Sequence, residues 1–110
     1  MKHVVIVLTE PNPGREQEFN EYYENLHIDE VLKTTGWQSG QRFKLTQEVG
    51  VKCPQPYLAL YEVEADSAEQ ALQTLNETRS HRQQSKALNK KTAALWIFSE
   101  TGPKHENPVS

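Results

Sequence analysis

The residues best suited to chemistry in this chain lie close together. Tyr22, Tyr23 and His27 fall within YYENLHIDEVLKTTGWQSGQRF, residues 22–43. His27 follows Tyr23 by four positions and Tyr22 by five, so on a helix Tyr23 and His27 share a face with Tyr22 beside them. Histidine is the side chain that moves protons near neutral pH, and a neighbouring tyrosine hydroxyl could hold a phenolate or enolate oxygen. The competing reading is structural: His27 caps a helix C-terminus or bonds a loop carbonyl, and the tyrosines are core side chains with wet tips. Arg42 sits on a strand with Gln38 and Lys44 on its face. It could pair with a substrate carboxylate, or it could form a salt bridge to the acidic first helix or to a partner chain.

The other candidates are weaker. Trp37, Tyr57, Tyr61 and Trp96 would be walls of a cavity or of a dimer seam. His3 opens the first strand and could face an interior. His81 lies in a polar, basic run, and His105 in the C-terminal tail reads as inert. Cys53 has only Lys52 beside it to activate a thiol, which argues against a nucleophile. The four histidines show no metal-ligand spacing, and HExxH, CxxC, GxSxG and glycine-rich phosphate loops are absent. Neither a metal nor a cofactor is expected.

Composition bounds the function further. A chain of 110 residues with 35% hydrophobic and 25% charged residues suits one small folded domain. A net charge of -3 argues against a nucleic-acid surface, which needs a basic patch. No apolar run approaches the roughly 18 residues of a membrane span. MKHVVIVLTEP lacks a small-residue cleavage site and reads as a first strand rather than a signal peptide. One cysteine forbids an internal disulfide and fits a reducing cytoplasm.

The elements that must position the candidates follow from periodicity. His3 to Thr9 is a β-branched strand. Asn12 is an expected N-cap with Pro13 at the first helical position. Phe19, Tyr22, Tyr23 and Leu26 recur at helical spacing, so a first helix is expected over about residues 14 to 34, with Gly36 as its C-cap. Trp37 to Thr46 alternates as a strand, with Trp37 and Phe43 on one face and Gly40 and Arg42 on the other. Residues 47–56 form a loop, and Tyr57 to Ala65 the third strand. Asp66 and Glu69 have capping-box spacing before a second helix from 67 to about 78. Residues 79–91 read as a short irregular helix or an exposed crossing, and Thr92 to Ser99 as the last strand. The domain is expected over residues 1–101, with a tail at 102–110.

The order β-α-β-β-α-β describes an α+β, ferredoxin-like sheet with both helices on one face. HVVIVL, YLALY and ALWIF are apolar on both alternating sets. Helices cover only one face, so the pattern favours a homodimer that covers the other.

GREQEFNEYYENLHIDEVLKTTGWQSGQRF followed by YLALYEVE resembles the dimeric α+β barrel superfamily, closest to its EthD-like branch. Members often carry an aromatic pair, then a histidine, then a proline or acidic residue, then a glycine-aromatic step into an R-F strand. The matching residues are Tyr22-Tyr23, His27, Asp29-Glu30, Gly36-Trp37 and Arg42-Phe43. Asp29 stands where the branch more often has proline. The superfamily includes cofactor-free monooxygenases, lactone isomerases and polyketide cyclases. In the cyclases a histidine in the segment of His81 is the general base.

The resemblance implies a small cofactor-independent enzyme acting by proton transfer on an aromatic, polyketide-like or lactone substrate, in a cavity between sheet and first helix. His27, Tyr22 and Tyr23 would be catalytic; Arg42, Trp37, Tyr61 and His81 would bind substrate. The alternative is a non-catalytic dimer that binds an apolar or aromatic small molecule, or serves an accessory role, in the same cavity.

Overall fold

A computed structural model describes residues 1–109. In chain order it contains β1 (Lys2–Thr9), α1 (Glu16–Tyr22), a π-helical turn (Tyr23–His27), α2 (Ile28–Thr35), β2 (Ser39–Lys44), β3 (Tyr57–Glu64), α3 (Ala68–Glu77), a 3-10 turn (Arg79–His81) and β4 (Ala94–Ser99). The sheet order is β2-β3-β1-β4, and every neighbouring pair is antiparallel. This is the α+β, ferredoxin-like arrangement that the element order implies.

The two faces of the sheet differ. Val5, Tyr57, Ala59, Tyr61 and Val63 are buried towards the helices, where they meet Phe19, Tyr23, Ile28 and Val31. The opposite set pairs Ile6 with Trp96, Val4 with Phe98 and Leu58 with Phe43. There Trp96 is 46% exposed, Phe98 55% and Phe43 46%.

The expected first helix is continuous in space but not in hydrogen bonding. α1, the π-turn and α2 run on with helical backbone, and Ile28 N–H donates to Tyr23 O, five residues back. Such a widened turn inside a helix is an uncommon local distortion, and it recurs at functional sites. Gly36 ends α2 with φ +77, a left-handed conformation that glycine adopts without strain, as expected.

Four local expectations need correction. Asn12 does not cap α1: the N-cap is Arg15, whose side chain makes no capping bond. The Asn12 amide instead donates to Lys86 O (2.7 Å) and Leu88 O (3.4 Å), fastening the loop to the segment before β4. The cap of α3 is Ser67 rather than Asp66. Its Oγ accepts from Gln70 N–H at 3.0 Å, and Gln70 Oε1 accepts from Asp66 N–H at 2.8 Å. β2 starts two residues later than expected, because Trp37 N–H bonds Thr35 Oγ1 and Gln38 N–H bonds Glu62 O before the regular ladder begins. Trp37 therefore packs on Tyr61 (centroids 5.4 Å apart) on the helix side, away from Phe43. Of the two alternatives for residues 79–91, a short irregular helix is met at the 3-10 turn Arg79–His81, while an exposed crossing does not describe the rest, since Arg82 and Ala87 are buried.

Candidate functional site

The wide turn governs the site. A π-helix bonds residue i to i+5, and across this widened turn Tyr22 and His27 stack with centroids 5.1 Å apart and rings 25° from parallel. Tyr23 meets the same imidazole edge-on at 5.0 Å. All three candidates are thus in contact.

Hydrogen-bond polarity assigns the histidine tautomer. The Tyr22 hydroxyl donates to Gln83 O at 2.8 Å, and lies 2.9 Å from His27 Nδ1. A hydroxyl has one proton, and a carbonyl can only accept. The Tyr22 oxygen must therefore accept from His27 Nδ1–H. Nε2 is left with its lone pair, and none of the described residues bonds it. Burial, assisted by the Arg82 charge, lowers the His27 pKa to about 4, so the ring is neutral near pH 7. Burial, and secondly the Glu30 carboxylate, push Tyr22 up to about 12. Burial also raises Tyr23 to about 12 and moves Tyr61 upward. The three phenols stay protonated, and that of Tyr22 donates to Gln83 O.

His27 borders a cavity of about 280 Å³ between the sheet, α2, α3 and the segment after α3. Tyr23, Val31, Trp37, Tyr61 and Leu95 supply its apolar and aromatic walls; Arg79, Arg82 and Gln84 form its polar side. His27 also borders a second hollow, with Tyr22, Arg79 and Lys90. The buried Tyr61 hydroxyl, next to that of Tyr23, makes no well-formed hydrogen bond among the described residues, and a ligand or water in the cavity could supply one. Gly40 makes room for that ring: a Cβ there would lie 2.9 Å from Tyr61 Cδ1 and Cε1.

Trp37 and Tyr61 thus join the His27 cluster, whereas Arg42 and His81 do not. Arg42 Nη2 donates to Asn20 Oδ1 at 2.7 Å, Nη1 lies 3.5 Å from Glu24 Oε1, and the guanidinium lies over Phe19, Tyr23 and Tyr57 at 5.0 to 5.5 Å. It braces the outside of Tyr23 and does not line the cavity. His81 is exposed on the 3-10 turn. His3 is buried and fully bonded, Nδ1 to Ser99 Oγ at 2.8 Å and Nε2 to Ala65 O at 3.2 Å, so it is structural. Cys53 lies away, its Sγ 3.3 Å from Gln55 O.

Sequence reasoning missed Arg82, one residue beyond His81. Its Nη1 donates to Thr78 Oγ1 (2.7 Å) and Thr34 Oγ1 (3.0 Å), and its Nη2 to Leu75 O (2.8 Å). Arg82 follows the 3-10 turn with extended backbone and takes one partner, Thr34, from α2, so no helical spacing in the sequence marked it.

No protein-family model matches this sequence, and no curated protein matches it significantly. Among solved structures, an ethyl tert-butyl ether D (EthD) family protein from Bacillus halodurans C-125 is similar, with a TM-score of 0.59. The alignment covers 92% of this chain and 100% of that one, at 18% identity. The likeness is one of fold: nearly the whole chain has the α+β fold of an EthD family protein.

Proposed function

We propose that this protein is a small cofactor-independent enzyme that moves a proton on an aromatic, polyketide-like or lactone substrate bound beside His27. One observation carries the reading: the Tyr22–Gln83 relay holds His27 as the Nδ1–H tautomer, with unprotonated Nε2 unbonded among the described residues, on a ring that borders a cavity with aromatic walls. Nε2 would take a proton from carbon or oxygen of the substrate. The hydroxyl of Tyr61 or Tyr23 would donate to the oxygen on which charge develops. Trp37 and Tyr61 would hold the ring of the substrate.

A binding module without turnover is the second reading, and the lowered His27 pKa favours it, because a base titrating near pH 4 is weak at neutrality. His27→Gln separates the two. On a panel of phenolic and lactone compounds, an enzyme loses turnover by about 10²-fold or more while keeping ligand affinity. Unchanged turnover in that variant refutes the catalytic role.

The same reading includes a partner. Phe43, Trp96 and Phe98, with Val4, Ile6, Leu58 and Leu60 between them, form an apolar sheet face that the helices leave open. A second copy of the chain, laid sheet to sheet, would cover it.

A further inference from the structure

We propose that the ligand of this cavity is an aromatic carboxylate, its ring against Trp37 and Tyr61 and its carboxylate between Arg79 and Arg82. This rests on the small-molecule reading above and names the class of molecule.

The argument starts from an unbalanced buried cation. Arg82 is 8% exposed, and its three hydrogen bonds all go to neutral acceptors: two threonine hydroxyls and a carbonyl. No carboxylate forms an ion pair with it among the described residues. Glu30 is the carboxylate whose field reaches it, and that group is engaged by Gln83 N–H at 3.0 Å. A buried guanidinium is costly unless an anion balances it. Arg79, on the same cavity wall, is a second cation without an ion pair among the described residues.

The surroundings share this polarity. Residues 79–91 contain Arg79, Arg82, Lys86, Lys90 and Lys91 and no Asp or Glu, in a chain whose net charge is -3. Lys90 borders the adjoining hollow with Tyr22 and His27. The opposite wall is apolar. One end therefore calls for an anion and the other for a ring, and guanidinium pairs suit a planar carboxylate. A cavity of about 280 Å³ limits the ring system to a small one.

The test is calorimetric titration of the intact protein with naphthalene-2-carboxylate and with its methyl ester. The wild type should bind the carboxylate at least about tenfold more tightly than the ester. Arg79→Gln, at an exposed position whose side chain makes no hydrogen bond or ion pair among the described residues, should cost about tenfold in carboxylate affinity and leave the ester unchanged. Arg82→Lys, which keeps the charge but not the fork, should weaken the carboxylate alone. Equal binding of the two compounds, an indifferent Arg79→Gln, or binding of neither overturns the proposal. Selective binding of the carboxylate, with no turnover of any compound on the phenolic and lactone panel, would sink the enzymatic reading and leave this one standing.

Discussion

Acid should destabilise this protein through His27, and by an amount the structure sets. The imidazole is neutral in the fold because burial and Arg82 lower its pKa from 6.5 to about 4. Between those values the unfolded chain binds a proton that the folded chain refuses. Stability is therefore complete above the unfolded pKa and is lost as pH falls towards the folded one. The linkage relation gives a loss of about 2 kcal/mol by pH 5 and about 3 kcal/mol by pH 4 from this one group, as an upper figure. His27→Gln keeps a similar shape without the titration. Urea midpoints at pH 7 and pH 5 for both proteins yield a double difference free of the carboxylates. The wild type should lose about 2 kcal/mol more than the variant over that interval. A double difference below about 0.5 kcal/mol would mean that His27 is not held neutral, and the argument from burial would fail.

Three other outcomes follow. Gly40→Ala drives a methyl to 2.9 Å from the Tyr61 ring and 3.2 Å from Ile28 Cγ2. It should cost roughly 1–3 kcal/mol in urea unfolding, and a cost near zero would show that the ring is free to yield. Arg42→Met removes a charged bond to Asn20 and contacts with three rings. Stability should fall by roughly 1–3 kcal/mol with ligand affinity unchanged; a selective loss of affinity would restore Arg42 to the site. Trp96→Asp puts a charge on the open sheet face and should abolish the proposed sheet-to-sheet dimer, leaving a monomer in sedimentation velocity. A wild type that sediments as a monomer at micromolar concentration would refute sheet-to-sheet assembly.

What could be read from the sequence was what periodicity carries. HVVIVL, YLALY and ALWIF, apolar on both alternating sets, mark three strands whose two faces both call for cover, and Gly36 marks the end of α2. The Tyr22-Tyr23-His27 grouping was also legible, because local spacing alone brings such residues together. What stayed hidden depends on partners distant in sequence. Asn12 looks like a cap until the carbonyls of residues 86 and 88 draw it elsewhere. The π-turn leaves no mark in composition, yet it stacks Tyr22 on His27. Arg42 and Arg82 are both cations in mixed segments, and only the packing shows that Asn20 and three rings hold the first while the second faces the cavity. His81 drew attention by its chemistry, but the turn that exposes it buries its neighbour.

The central claim is that His27 waits as a neutral Nδ1–H imidazole with a free Nε2. Ring 15N chemical shifts of histidine-labelled protein, followed from pH 8 to pH 4, test it directly. The account predicts a protonated Nδ1 and an unprotonated Nε2 at pH 7, with titration well below 6.5, and loss of the tautomer preference in Tyr22→Phe. A proton on Nε2, or a His27 that titrates at or above 6.5, would contradict it.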